Sequence, residues 1–187
     1  ESLRRFHPWV FSGAIHSMDQ SIEEGDTVSV IAADGSPLGV GHYQIGSIAV
    51  RMLSDKDIKI DSEFYCSRLL QAARLRKSLG LMRPDNNAFR LVHGEGDFLP
   101  GLIIDVYGST AVLQAHSAGM HYARQIIAQA LTELPDMGIK NVYYKSETTL
   151  PYKAALDPQN DYIIGGIDTD VAIENSLKFH VDWLKGQ

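Results

Sequence analysis

Short runs of alternating apolar and polar residues dominate the first sixty positions. Three runs are strand-like: 27–31, 38–43 and 48–53. Asp34-Gly35 separates the first two runs, and this dipeptide favours the positive φ angles of a tight hairpin. Several short strands joined by turns predict a small β-barrel or sandwich.

The period changes from strand-like to helical after residue 60. Apolar side chains then recur on one helical face, at Cys66, Leu69, Leu70 and Ala73. Asp61 or Ser62 can cap this helix, and Gly80 ends it. We place a domain boundary at the helix, with residues 1–70 as the first domain and 71–187 as the second.

The second domain mixes strands with a single main helix. The strand-like runs are 89–93, 102–107, 110–115 and 141–145. Ser117 begins a helix that Pro135 ends, and residues 146–162 have the composition of a loop. Residues 168–174 and 177–183 predict a C-terminal β-hairpin turned by Asn175-Ser176. The chain is therefore predicted to be mixed α/β, of the α+β type.

Composition and charge narrow the class of protein. The chain has 187 residues, 44% apolar and 21% charged, which is typical of a folded globular protein. No apolar run approaches the twenty residues of a membrane span, so we expect a cytoplasmic protein with no membrane partner. The net charge of −6 argues mildly against a nucleic-acid partner. Residues 71–100 nevertheless carry five basic and three acidic side chains, so this stretch is either a solvated helix face or a phosphate-contacting strip.

The residue patterns of known catalytic and cofactor sites are missing from the sequence. The glycine-rich segments 39–46 and 94–101 lack dinucleotide-binding spacing and are predicted to be turns between strands. Cys66, the single cysteine, lies on the apolar helix face, where a buried thiol stays protonated and unreactive. We expect Asp97 to cap the second glycine turn through backbone amides, and Asp105 to be exposed or paired on its strand.

The histidines and serines also form no recognisable metal-binding or nucleophile motif in the sequence. No two histidines stand three or four residues apart on a predicted helix, and His116 and His121, which flank a helix start, are expected to be structural. No Gly-x-Ser-x-Gly motif is present. The sequence thus predicts no catalytic, cofactor-binding or metal-binding residues of its own.

Aromatic and basic residues are concentrated in residues 4–13. Arg4 and Arg5 offer forked donors for phosphates and planar groups that stack on bases. The alternative is that the aromatic residues only fill one end of the barrel. We expect Trp9 and Phe11 to lie in the core, with both arginines pointing outward.

Several longer strings resemble a known family, the bacterial S-adenosylmethionine-dependent 23S rRNA methyltransferases that modify cytosine C5. The matching strings are residues 5–15, 24–28, 35–41, 89–108 and 174–187. The resemblance implies a PUA-like RNA-binding barrel followed by a central α+β domain. It also implies that a Rossmann-like domain carrying the S-adenosylmethionine site and a nucleophilic cysteine follows Gln187, so that this fragment alone is inactive.

One stretch departs from the family pattern. Residues 144–151 stand where the family shows an arginine followed by Glu-Gly, and here the basic residue is Lys145. A lysine would act there as a point charge, without the forked geometry of arginine.

Taken together, the residues and the resemblance predict an RNA-recognition module that uses basic side chains to contact 23S rRNA. The predicted contacts are Arg4, Arg5, His7, Arg51, Arg74, Arg76 and Lys77. One alternative is a stand-alone PUA-type RNA-binding or ribosome-assembly protein, and another is a metabolic enzyme or sugar-binding β protein. The C-terminal hairpin, if uncovered, presents an apolar edge that favours a homodimer.

Overall fold

The computed structural model describes residues 3–5, 7–151, 156, 158–166 and 171–185. The side chain of Arg4, one of the predicted RNA contacts, lies outside this description. The main elements are eleven strands and three α-helices within the described residues.

The first domain is a four-stranded antiparallel sheet. Its strands are β1 (Trp9–Phe11), β2 (Thr27–Ile31), β3 (Pro37–Tyr43) and β4 (Ile48–Ser54), in the order β1-β4-β3-β2. Within the described residues β1 and β2 remain the two edges of this sheet. Two short 3-10 helices, Leu3–Arg5 and Ser12–Ala14, flank β1.

The turn residues Asp34 and Gly35 account for the β2–β3 hairpin, as the sequence predicted. The Asp34 carboxylate accepts a hydrogen bond from the Ser36 amide at 2.9 Å, and Gly35 has φ +82°. The prediction of turns at Gly39 and Gly41 was wrong, because both lie inside β3. A Cβ at either position would overlap a backbone carbonyl of β4, so glycine permits the close approach of these strands.

The second domain is built on a five-stranded sheet. Its strands are β5 (Ala88–His93), β6 (Leu102–Tyr107), β7 (Thr110–Ala115), β8 (Asn141–Tyr144) and β9 (Asp161–Ile164), in sequence order. Only β7 and β8 are parallel among these pairs. A parallel pair needs a crossover connection, which the helices between them provide.

Three helices complete this domain: α1 (Ser62–Ser78), α2 (Ala118–Tyr122) and α3 (Arg124–Thr132). The Asp61 carboxylate caps α1 by accepting from the amides of residues 63 and 64, and Gly80 follows its end with φ +70°. Ser117 caps α2, as predicted, but the single helix predicted there is divided at Ala123.

The core lies between the helices and one face of the five-stranded sheet. Leu69 of α1, Ile127 of α3 and Ile104 of β6 are fully buried there. Because α1 contributes to this core from its first turn, a boundary at 70/71 would divide a helix that packs as one unit. We propose instead that the boundary falls between β4 and α1.

The opposite face of the same sheet is partly covered by the C-terminal segment. The Trp183 indole stacks on Tyr107, with ring centroids 6.4 Å apart, and donates to the Tyr162 hydroxyl at 2.9 Å. Lys145 donates from Nζ to the Trp183 carbonyl at 2.8 Å. The lysine at the position that departs from the family pattern therefore holds this segment against the sheet.

The predicted C-terminal hairpin is present as β10 (Val171–Glu174) and β11 (Leu177–His180). Asn175 and Ser176 have φ +49° and +69°, which is the geometry of a two-residue hairpin turn. Asn87 attaches the hairpin by exchanging hydrogen bonds with Ile173. The predicted α+β class is confirmed, whereas β9 begins at Asp161, before the end of the segment 146–162 that was expected to be loop.

One row of side chains on the first sheet faces the second domain. Trp9, Arg51 and His42 are register partners on β1, β4 and β3, so their side chains lie on the same face. His42 packs against Gly119 of α2, where a Cβ would overlap the imidazole ring. The His42 Nδ1 atom has no hydrogen-bond partner among the described residues. Burial lowers the pKa of His42 from 6.5 to about 4.

Because His42 is buried at this interface, we expect the protein to lose free energy of unfolding in mild acid. An unfolded His42 takes up a proton near pH 6.5, whereas the folded one does so only near pH 4. The unfolded state therefore binds more protons between these values, and the free energy of unfolding falls as the pH decreases through this window. The contribution of His42 is about 3 kcal/mol at most.

Urea unfolding at pH 7 and pH 4.5 measures this effect. We expect His42→Gln to lose less stability than the wild type between the two pH values. The exposed His16→Gln serves as the control and should keep the wild-type dependence. Equal pH dependence in the wild type and His42→Gln would contradict the assignment.

Candidate nucleic-acid interface

An aromatic cluster projects from β1 at the junction of the two domains. The His7 ring lies 5.7 Å from the Trp9 ring and 5.9 Å from the Phe11 ring, measured between centroids. Trp9 donates from Nε1 to a Glu95 carboxylate oxygen at 2.9 Å. The expectation that these aromatics lie in the core was wrong for Phe11, which is 45% exposed, and Trp9 is only half-buried.

Arg51 lies beside this cluster in β4. It stands opposite Trp9 in the strand register and is partly buried. Its Nη1 atom is buried without a hydrogen-bond partner among the described residues. Burial lowers the pKa of Arg51, and the charge of Glu95 opposes that shift. The guanidinium is thus held at the domain junction with donor capacity that the described residues do not use.

Strand β5 brings further polar groups to the same junction. Arg90 forms a two-pronged ion pair with Asp105, with N–O distances of 2.8 and 2.9 Å. The Arg90 Nη1 atom also lies 3.3 Å from His93 Nδ1. Burial and then the charge of Arg90 lower the pKa of the nearby His116, while Glu95 acts in the opposite direction. Asp105 is paired, as the sequence predicted.

These groups form one surface shared by both domains, which we call the junction surface. Its members from the first domain are His7, Trp9 and Arg51, and its members from the second are Arg90, Glu95 and His116. Glu95 links the two sets, because it accepts a hydrogen bond from Trp9 and interacts electrostatically with Arg51 and His116.

The predicted contact Arg76 has a different role from the one expected. Both of its terminal guanidinium nitrogens donate to the Asp97 carboxylate, with Nη2–Oδ2 at 2.7 Å, and Nε donates to the Arg90 carbonyl at 3.0 Å. Both side chains of this pair are buried. These contacts use three of its five N–H donors and the side chain is buried, so Arg76 is not presented to a phosphate and we remove it from the proposed contacts.

Asp97 also makes a backbone contact at the glycine turn, as the sequence predicted. Its carboxylate accepts a hydrogen bond from the His93 amide at 2.6 Å, so it stabilises the 3-10 turn Gly94–Asp97 through the backbone. The ion pair with Arg76 is the contact that the sequence did not indicate. It joins this turn to α1 and to β5.

The other predicted contacts lie on two separate surfaces. Arg5, like His7, is exposed near the junction surface. Arg74 and Lys77 are exposed on α1, which belongs to the helical layer of the second domain. Lys77 pairs with Asp136 at 2.8 Å, and both partners are mostly exposed to solvent. The residues predicted as one basic set are thus not brought together at a single point.

Cys66 and His121, the candidate reactive groups of the sequence, have structural surroundings in the described part of the chain. Burial and the charge of Glu133 raise the pKa of the Cys66 thiol, which makes it less nucleophilic. His121 is buried and lies within hydrogen-bond distance of the Tyr144 hydroxyl, at 2.6 Å from Nδ1. Across the described ranges, no three His, Cys, Asp or Glu side chains meet as a metal-binding group. None of the helices described is both long and apolar enough to cross a bilayer.

The fold first defines a class: residues 1–55 match the family model of a PUA-like domain, and an α+β domain follows it. Two curated relatives are both named ribosomal RNA large subunit methyltransferase I. The protein from Alteromonas mediterranea is 41% identical, over 97% of this chain and 46% of its own length. The protein from Aeromonas salmonicida is 35% identical, over 100% of this chain and 47% of its own length.

Solved structures agree on the fold. A methyltransferase complexed with SAH superposes with a TM-score of 0.75 at 15% identity, over 95% of this chain and 44% of its own. A Streptococcus mutans protein described as SAM-dependent gives 0.74 at 16% identity, with the same coverage. This chain therefore spans about half the length of the curated relatives it matches.

The sequence did not indicate the role of Glu95, which it placed only within a glycine turn. That role depends on a contact between residues far apart in sequence, since 86 residues separate Trp9 from Glu95. The acidic residue beside the aromatic cluster could not be recognised without that pairing.

The buried ion pair gives a direct stability prediction. We expect Arg76→Ala to lower the free energy of unfolding by about 3–5 kcal/mol, because the Asp97 charge would remain buried without its partner. The adjacent Lys77→Ala removes an exposed pair and should leave stability close to the wild-type value. Urea denaturation followed by circular dichroism compares the two. Equal stabilities of the two variants would show that the Arg76–Asp97 pair is not structural.

Proposed function

We propose that this chain is the RNA-recognition part of an S-adenosylmethionine-dependent methyltransferase that modifies cytosine C5 of 23S rRNA. Its own residues bind and orient the RNA, and the methyl-transfer chemistry takes place outside them. The PUA-like match of residues 1–55 and the names of the curated relatives support this assignment. The stand-alone alternative is not favoured, because those relatives are about twice as long as this chain.

The observation that carries the proposal is the junction surface. It combines the Arg51 guanidinium, whose Nη1 atom has no partner among the described residues, with the exposed or half-exposed rings of His7 and Trp9, and Phe11 lies beside them. Guanidinium groups bind phosphates, and exposed aromatic rings stack on unpaired bases. Both domains contribute to the surface, so their relative placement would determine how an RNA strand is held.

The basic residues of α1 extend this proposal to a second contact region. Arg74 and Lys77 are exposed in the single stretch of the chain where basic residues outnumber acidic ones. The net charge of −6 is compatible with RNA binding because acidic residues elsewhere outweigh this local excess. We propose phosphate contacts from Arg74 and Lys77 here and from Arg5, His7 and Arg51 at the junction, and we keep Arg4 as a proposed contact from its place in the sequence.

RNA binding of charge variants tests this proposal. We expect Arg74→Ala/Lys77→Ala to weaken binding to transcribed 23S rRNA fragments and to reduce the slope of log affinity against log salt by roughly 1.4–1.8, the value for two lost phosphate contacts. Fluorescence anisotropy over a salt series provides the measurement.

The matched control is Lys140→Ala/Lys178→Ala, which removes the same charge from exposed sites elsewhere. It should keep the wild-type salt slope. An unchanged slope in the Arg74/Lys77 variant would reject the α1 contacts, and a wild-type chain that binds no 23S fragment would reject the function.

A second experiment locates the cofactor site. We expect calorimetric titration with S-adenosylmethionine to give no heat of binding to this chain. The glycine segments lie in β3, in the turn after it and in the 3-10 turn between β5 and β6, and none of them begins an α-helix that could hold the cofactor. RNA binding by the same preparation confirms that the protein is folded. Tight binding of S-adenosylmethionine would contradict the placement of the cofactor site outside these residues.

A further inference from the structure

Phe98 has an unusual combination of conformation and exposure. It follows the 3-10 turn Gly94–Asp97 with φ +57° and ψ +29°, in the left-handed region that residues with a Cβ rarely adopt. Its side chain is 56% exposed, although it is a large apolar ring. A bulky aromatic residue in such a conformation is an outlier of the kind that concentrates at functional sites.

The neighbours of Phe98 fix this conformation. Asp97 on one side is buried and ion-paired with Arg76. Leu99 and Pro100 on the other side are also buried, and Leu99 is completely inaccessible to solvent. Because the chain is anchored immediately before and after Phe98, the ring is held outward and cannot fold into the core.

An arginine supports the ring from one side. The Arg68 guanidinium carbon lies 5.2 Å from the Phe98 ring centroid and 5.4 Å from that of Phe64, within the range of a cation–π contact. Arg68 is itself positioned, because Nη2 donates to the Leu53 carbonyl at 3.1 Å and Nη1 to the Gln71 side chain at 3.4 Å. The Phe98 ring is therefore backed by a fixed cation and remains open to solvent.

We propose that Phe98 is a stacking platform for one unpaired nucleobase of the bound RNA. This inference rests on the function proposed above and names a contact within it. Unpaired bases are recognised by stacking on aromatic rings, and here the Arg68 guanidinium already lies at cation–π distance from the Phe98 ring. A base on the open side would place the ring between itself and that cation.

The surroundings of Phe98 favour a nucleobase over a protein partner. Its neighbours along the chain, Glu95 and Gly96, are exposed and are polar or small, and the Arg68 guanidinium lies against the ring, so polar groups border Phe98 on these sides, unlike the apolar patches that dock proteins. Glu95, three residues earlier, reaches the junction surface through Trp9. A base stacked on Phe98 would therefore lie three residues along the chain from a member of that surface.

Substitutions at Phe98 test the platform in the full chain. Phe98→Leu keeps an apolar side chain but removes the ring, and we expect it to weaken binding to a single-stranded 23S-derived oligonucleotide about tenfold. Phe98→Tyr should stay within about twofold of the wild type. Because stacking involves no counterion release, Phe98→Leu should keep the wild-type salt slope, unlike the Arg74/Lys77 variant.

Two further variants separate binding from folding. Phe98→Gly accepts the left-handed conformation without strain, so it should melt at or above the wild-type temperature while binding RNA as weakly as Phe98→Leu. Phe179→Leu removes another exposed phenylalanine, 45% accessible on β11, and should keep the wild-type affinity. Fluorescence of 2-aminopurine placed in the oligonucleotide reports stacking directly, and its quenching should disappear with Phe98→Leu.

The outcomes separate this inference from the proposed function. If the wild type binds RNA and Phe98→Leu binds equally well, the stacking platform is rejected and the RNA-binding function stands. Equal losses of affinity in Phe98→Leu and Phe179→Leu would also reject it. A wild-type chain that binds neither the oligonucleotide nor longer 23S fragments rejects both proposals.

Discussion

The buried ion pair between Arg76 and Asp97 is the interaction on which the candidate site depends. Two charges removed from water are stable only when their donors and acceptors are satisfied, and here the backbone of β5 completes the arrangement. The pair fixes the 3-10 turn Gly94–Asp97 to α1. This 3-10 turn determines where Glu95 contacts the first domain and where the Phe98 side chain projects into solvent. The Arg76–Asp97 pair is not itself a proposed RNA contact, but it positions residues that are.

At the junction of the two domains the side chains pack closely, but some buried polar atoms have no hydrogen-bond partner among the described residues. Gly119 allows the His42 ring to lie directly on α2, while His42 and Arg51 each keep a buried polar atom that no described residue pairs with. Buried polar groups are normally paired, and unpaired ones need an explanation. A ligand that supplies oxygen atoms would satisfy the Arg51 donor. The unused donor is therefore consistent with a surface that is completed when RNA binds.

The sequence predicted elements where local chemistry determines them. Asp61 and Gly80 mark the ends of α1 by capping and by a positive φ angle, and both signals are visible in a single sequence. Strand β9 was missed because it has only four residues and its pairing with β8 is not local. The role of Arg76 was missed for a related reason. Its position among basic residues suggested solvent exposure, whereas its partner Asp97 lies 21 residues away and defines its environment.

The covered face of the five-stranded sheet has a consequence for how bases can be bound. A sheet that displays several aromatic rings is a common place for bases to stack. In this protein Trp183 already occupies that position over Tyr107 and is held there by Tyr162 and Lys145. A base arriving at this face would have to compete with an intramolecular ligand that is present at very high effective concentration. Under the proposed function, base stacking is therefore left to the rings that the described residues leave exposed, among them Phe11 and Phe98.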